Sequence, residues 1–232
     1  MDIVKKIIAR VLVIMWTLLL VFTAGCKSQI EITDSSLHPS EFATYYALLG
    51  LHKESVLASL GFTEAELTET NTYTYLTSKT VVFQDHSFRV LLHTGGNWNR
   101  FTGFSYMTVL EGDSKTQASQ ILSLAQTLSE NFGPPTDGAS AYPEYFVEMT
   151  AEELETWLVD GKQESASDSW YLGQIQTKEA VAYTVFLEGY HFAAGTQMQI
   201  AEYPQLKLTL SIYKDGQGVV QVELKYLMDC FI

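Results

Sequence analysis

A chain of 232 residues with 14 Lys+Arg against 27 Asp+Glu has a formal net charge of −13, which excludes the basic face a nucleic-acid binder needs. At 47% hydrophobic and 18% charged, the composition is far from that of chains too polar to bury a core. Two cysteines are too few for a disulfide framework or a multi-cysteine zinc module.

Lys5, Lys6 and Arg10 precede an apolar run from Val11 to Phe22, broken only by Thr17. The run is too short to cross a bilayer comfortably, and a basic start, a short apolar stretch and then small residues are the layout of an export signal. Thr23, Ala24, Gly25 and Cys26 follow and resemble the lipobox of bacterial lipoproteins, with Thr23 where Leu is usual. The resemblance implies that residues 1–25 are a lipoprotein signal peptide and that Cys26 becomes the first, lipidated residue. The mature protein is then expected at the cell membrane, lipid-anchored on the extracytoplasmic side, in the outer membrane if the source has one. Two acyl chains suffice for stable anchoring. Cleavage leaves 11 Lys+Arg against 26 Asp+Glu, so the anchor and not a basic patch must hold the body against anionic headgroups.

Residues 26–37 form the lipidated cysteine and a polar tether, whose Lys27–Leu37 portion extends to at most roughly 35–40 Å. With Cys26 lipidated, Cys230 has no partner in the chain. It reads either as a small buried hydrophobe beside Met228 and Phe231 or as a reactive thiol.

Pro39, Ser40 and Glu41 open a helix carrying Phe42, Tyr45, Tyr46 and Leu49 at helical spacing, closed by Gly50. A second helix is expected from Lys53 to Leu60, ending at Gly61. The period then changes to two through Tyr73 and Tyr75, Val81–Phe83, Phe88–Leu92 and Phe101–Leu110, which reads as strands. Ser114 with Gln117 looks like a capping box for a longer helix. Its stripe is Ala118, Ile121, Leu122, Ala125, Leu128 and Phe132, with Gln117, Gln120, Thr127 and Glu130 facing away. Thr150 with Glu153 is a second capping box, for a helix bearing Leu154, Trp157 and Leu158 and ending near Gly161. The clearest alternation is last: Leu206, Leu208, Leu210 and Ile212, then a turn at Asp215 and Gly216, then Val220, Val222, Leu224 and Tyr226. This predicts an antiparallel hairpin with one dry and one wet face. The expected fold is α+β, amphipathic helices packed on one face of an antiparallel sheet.

Gly50, Leu51, His52, Val56, Leu60 and Gly61 follow the spacing of the helical hairpin in the small outer-membrane lipoprotein family (SmpA/OmlA), and the β-lactamase inhibitory protein looks like a tandem version of that unit. His52 departs from the usual Ser or Thr, and Thr63 from the usual Pro. A second copy would place Thr150, Leu154 and Leu158 where His52, Val56 and Leu60 stand, with Val159 in the place of Gly61. The resemblance implies two helical-hairpin-plus-sheet units, 38–140 and 141–232, which bind a protein partner through the sheet and its loops and perform no chemistry.

No serine nucleophile elbow, zinc-protease helix, phosphate-binding loop or dinucleotide fingerprint is present. His86 and His93, seven apart, fall on opposite faces of a strand, and Glu188 and His191, three apart, would be opposed in one. The histidines therefore read as structural, and neither cofactor nor metal is expected. Among 29 aromatic residues, Trp98 stands out in a Gly-rich turn, as a packing lid or a contact point. Lys207, Tyr213 and Lys225 lie on the wet face of the last hairpin and are, with Trp98, the candidate partner-binding residues. A non-enzymatic protein-binding module is the leading expectation, followed by a glycan- or peptide-binding lipoprotein and then by an unrecognised hydrolase.

Overall fold

Strict alternation builds the last hairpin as expected. In the computed structural model, which describes residues 38–95, 98–139, 145–160, 164–196 and 198–231, Leu206, Leu208, Leu210 and Ile212 of one strand pair in register with Met228, Tyr226, Leu224 and Val222 of the next. All four leucine and isoleucine side chains are fully buried. Six further strands extend this pair into one antiparallel sheet: β1 (Thr68–Asn71), β2 (Thr74–Phe83), β3 (His86–Gly95), β4 (Arg100–Val109), β5 (Asp137–Ala139) and β6 (Glu164–Gln174), with β7 (Ile200–Lys214) and β8 (Val220–Phe231) forming the hairpin. Their order is β1-β2-β3-β4-β8-β7-β6-β5.

Five helices accompany the sheet among the described residues: α1 (Phe42–Ala47), α2 (Lys53–Leu60), α3 (Ser114–Phe132), α4 (Ala151–Val159) and α5 (Lys178–Ala194). The fold class is α+β, with the helices packed on the dry face. Phe42 and Tyr45 of α1 meet Phe104 at ring-centroid separations of 5.6 and 5.4 Å, and Phe104 stacks on Tyr226 at 5.2 Å. Farther along the same face the Trp170 indole donates to the Gly133 carbonyl that ends α3. Lys214, almost wholly buried, donates to the Trp157 carbonyl and to Asp160 at the end of α4. There it meets the negative end of the helix dipole as well as a carboxylate.

The two halves expected at 38–140 and 141–232 share the single sheet, four strands on either side of the β4–β8 seam. Helix α3 and strand β5 precede residue 140 yet pack against α4 and pair with β6. His52 and Thr150, matched in the repeat reading, are both N-caps, of α2 and α4. Thr150 makes the full capping box with Glu153, whereas the His52 side chain makes no cap bond. Backbone pairing replaces it, since Lys53 N–H donates to the Asn99 carbonyl and Phe101 N–H to that of Leu51.

Other expectations need correction. The cap of α3 is Asp113, which accepts from the Thr116 N–H, and Ser114 is its first helical residue. A residue at that position has lost the extended backbone that a cap needs. Gln117 turns inward and donates to the Leu110 carbonyl, while Leu124 joins the buried stripe and Leu122 is half-buried. Glu188 and His191 lie on helix α5 and not on a strand. Gly161, the expected stop for α4, lies outside the described residues, as do Cys26 and the expected signal peptide and tether.

Gly50 has a mechanical reason to be glycine. Its φ is 88°, and a methyl group there would fall 2.4 Å from the carbonyl carbon of Glu179 in the first turn of α5. Gly50→Ala is expected to lower unfolding free energy by about 2–4 kcal/mol, through backbone strain and displacement of α5. Urea denaturation followed by far-UV circular dichroism measures it.

Candidate functional site: the uncovered sheet face

The wet side of the sheet carries no helix among the described residues, and its side chains fall into rows set by strand register. One row runs Tyr171, Lys207, Leu227, Gly103, His93 and Thr74; the next runs Ser169, Thr209, Lys225, Ser105 and Leu91; the third runs Ser167, Ser211, Glu223, Met107 and Arg89. Gly103 matters to the first row, because a Cβ there would lie 2.5 Å from the Leu227 side chain. Its absence lets Leu227 lie flat against the strand.

The expected site residues Lys207, Tyr213 and Lys225 do share this face. They are not idle there, because the fold itself holds each of them in place. Tyr213 donates to Glu223 at 3.1 Å, and Lys225 forms an ion pair with the same carboxylate at 3.2 Å. Glu223 is buried, and a buried carboxylate needs such partners. Lys207 lies over the Tyr171 ring at 5.5 Å, and Tyr171 in turn donates to Asp229 at 3.0 Å. Tyr171 and Tyr213 remain 42% and 37% exposed, so each presents a ring to solvent while its hydroxyl is held.

Beneath these groups lies a cluster that the strand reading missed. His93 and Ser105 are buried and 2.8 Å apart through the imidazole Nε2, while Nδ1 lies 3.2 Å from the Thr74 hydroxyl. Glu223 approaches the same Nε2 at 3.8 Å. In a serine–histidine–carboxylate relay the carboxylate holds Nδ1 instead, so this geometry braces four strands and does not align a nucleophile. Burial, opposed in part by Glu223, pushes the His93 pKa down to about 4, leaving a neutral ring at pH 7. Alternation along β3 and β8 points His93 and Glu223 to the same face, and strand register brings them together.

Trp98 is set apart from this face. Its ring packs edge-on against Tyr190 at 5.0 Å, Phe186 at 5.7 Å and Tyr183 at 6.3 Å, all from α5. It is both lid and surface, half-buried over a cluster whose outer rings are exposed. Cys230 is buried and its thiol is pushed up to about 12 by that burial, which makes it unreactive at neutral pH. No group of three or more metal-binding side chains occurs among the described residues, and no helix among them is long and apolar enough to cross a membrane. A groove beside Glu164, Ser165, Tyr213 and Lys214 is shallow and open rather than an enclosed aromatic pocket.

Compared with known proteins, the chain matches no family model, no curated protein and no solved structure.

Two buried groups bend the pH dependence of stability in opposite senses. His93, protonated in the unfolded chain below its ordinary 6.5, resists protonation in the fold until about pH 4, so stability is lost as pH falls through that interval. Asp168, buried beneath the helices and accepting from the Phe146 N–H, is raised by burial to about 7, so stability is lost as pH rises from about 4 to 7. In Asp168→Asn, which removes the opposing carboxyl, lowering the pH from 7 to 4 is expected to cost on the order of 2 kcal/mol. Adding His93→Gln is expected to remove at least half of that loss, measured by urea unfolding across the pH series.

Proposed function

We propose that this protein is a lipid-anchored, extracytoplasmic module that binds another protein across its uncovered sheet face and performs no chemistry of its own. The observation that carries the reading is the segregation of charge. On the uncovered face β3, β7 and β8 set Arg89, Lys207 and Lys225 beside Glu223 and Asp229, a local excess of base on a chain whose formal net charge is −13. Most of the remaining acid lies in the helices and loops. A face with two half-exposed tyrosines, Lys207 and Lys225 fits a neutral or acidic partner surface. The rest of the strongly acidic body repels such a partner and so orients its approach.

The lipobox and the resemblance to the lipoprotein helical hairpin support the envelope location. Cys26→Ser is expected to abolish incorporation of a fatty-acid analogue in metabolic labelling. Label retained by the variant would overturn the anchor.

The sheet face is tested by placing a photo-crosslinking amino acid at Lys207 or Tyr213, with Val159 on the exposed side of α4 as control, followed by irradiation of intact cells. Adducts are expected from both face positions and not from Val159. The double variant Tyr171→Ala with Lys207→Ala is expected to reduce adduct formation from Tyr213 at least tenfold while changing stability by less than about 1 kcal/mol. Lys225→Ala is expected to cost more, because it strips an ionic partner from buried Glu223. Equal adducts from all three positions, or none from the sheet face, would sink the proposal.

A further inference from the structure

Helix α5 carries large apolar side chains on its outer face as well as its inner one. Ala180, Tyr183, Thr184 and Leu187 face the core, yet Val185, Phe186, Tyr190 and Phe192 are 63%, 42%, 48% and 87% exposed. A surface helix of this kind lacks the polar outer face that solvent demands, and Trp98 adds its indole to the same patch. Beside it an open groove of about 390 Å³ separates α5 from the start of β7, lined among others by Val185, Glu188, Ile200 and Tyr203.

We infer that this patch rests in the headgroup region of the bilayer to which the protein is anchored. The inference rests on the lipid-anchor reading, and the length of chain before the body decides the occupant. Residues 27–37 reach at most roughly 35–40 Å, and a body of this size is roughly 40 Å across. The tether is therefore nearly as long as the body is wide, which lets surfaces well away from its point of attachment meet the bilayer, and the part with the most exposed apolar area stays there. Trp98, Tyr190 and Tyr203 combine apolar rings with polar handles, the composition that gathers at membrane interfaces. A second copy is a poor occupant, because a two-fold pairing would bring Glu188 and Glu202 of two strongly acidic bodies together. The same charge makes docking depend on the anchor, since the unanchored body is repelled from anionic lipid.

The patch lies at the end of the sheet where β3 and β6 finish and β7 begins, because α5 follows β6 directly and meets Gly95 through Tyr183. Docking there leaves the uncovered face free for its partner.

The test uses the mature lipidated protein in phosphatidylethanolamine–phosphatidylglycerol vesicles doped with a lipid brominated near the headgroup. Trp157 and Trp170 are only 1% exposed, so quenching reports on Trp98, and Trp98→Phe confirms the assignment. The Trp98 emission is expected to fall two- to threefold, and Phe186→Ser with Phe192→Ser is expected to restore it while the protein still sediments with the vesicles. Protein that sediments with Trp98 unquenched overturns the docking and leaves the anchor standing. A self-crosslinked dimer in that case assigns the patch to a second copy. Protein that does not sediment overturns the anchor, and the docking that depends on it.

Discussion

The pairing of β4 with β8 is the constraint on which the rest of the molecule depends. Seven consecutive residue pairs, from Gly103 with Leu227 to Val109 with Gln221, join strands that are more than a hundred residues apart in sequence. On the dry side the seam carries Phe104, Tyr106 and Tyr226, all fully buried. Against these rings pack α1 and His38, the latter within 3.3 Å of the Tyr226 hydroxyl. Burial of each such ring contributes roughly 2–3 kcal/mol. Helix α1 has six residues, too few to persist alone, so it exists because the seam provides a surface for it.

On the wet side the same seam brings Ser105 and Glu223 within reach of His93. A sheet uncovered on one face has to be soluble there without exposing a large apolar patch. Here hydroxyls and paired charges meet that demand, and a neutral imidazole buried beneath them links β2, β3 and β4 through hydrogen bonds and lies against Glu223 of β8. Rigidity and hydrophilicity come from the same residues. The acidic helices on the opposite side keep the body apart from its neighbours.

How much of this was legible in the sequence follows from which interactions are local. The last hairpin, α2 and the Thr150 capping box are encoded by spacing within a few residues, and the chain reads them plainly. Strand β6, with Ser165, Ser167, Asp168 and Ser169 in its first half, lacks the apolar run that marks a strand. Only its place beside β7 makes it one. Helix α5 was missed because Val181, Tyr183, Thr184, Val185 and Phe186 favour strands, and Gly189 interrupts the pattern. Tertiary packing and the Thr177 cap override that preference. Parity identified the wet face, with Lys207, Tyr213 and Lys225 on it. It could not indicate that Glu223, on the same face, is buried, or that His93 meets Ser105, because both facts depend on which strand lies next to which.

The place of β8 has a consequence for how the chain is made. Strand β4 ends at Val109 and its partner does not begin until Val220. At ordinary synthesis rates of roughly 5–20 residues per second, β4 waits some 5–20 seconds for its neighbour. Throughout that interval the first half-sheet presents an open edge, and the aromatic column has one wall missing. The sheet closes last at its centre, so a nascent chain, even one nearly complete, is still two unjoined halves.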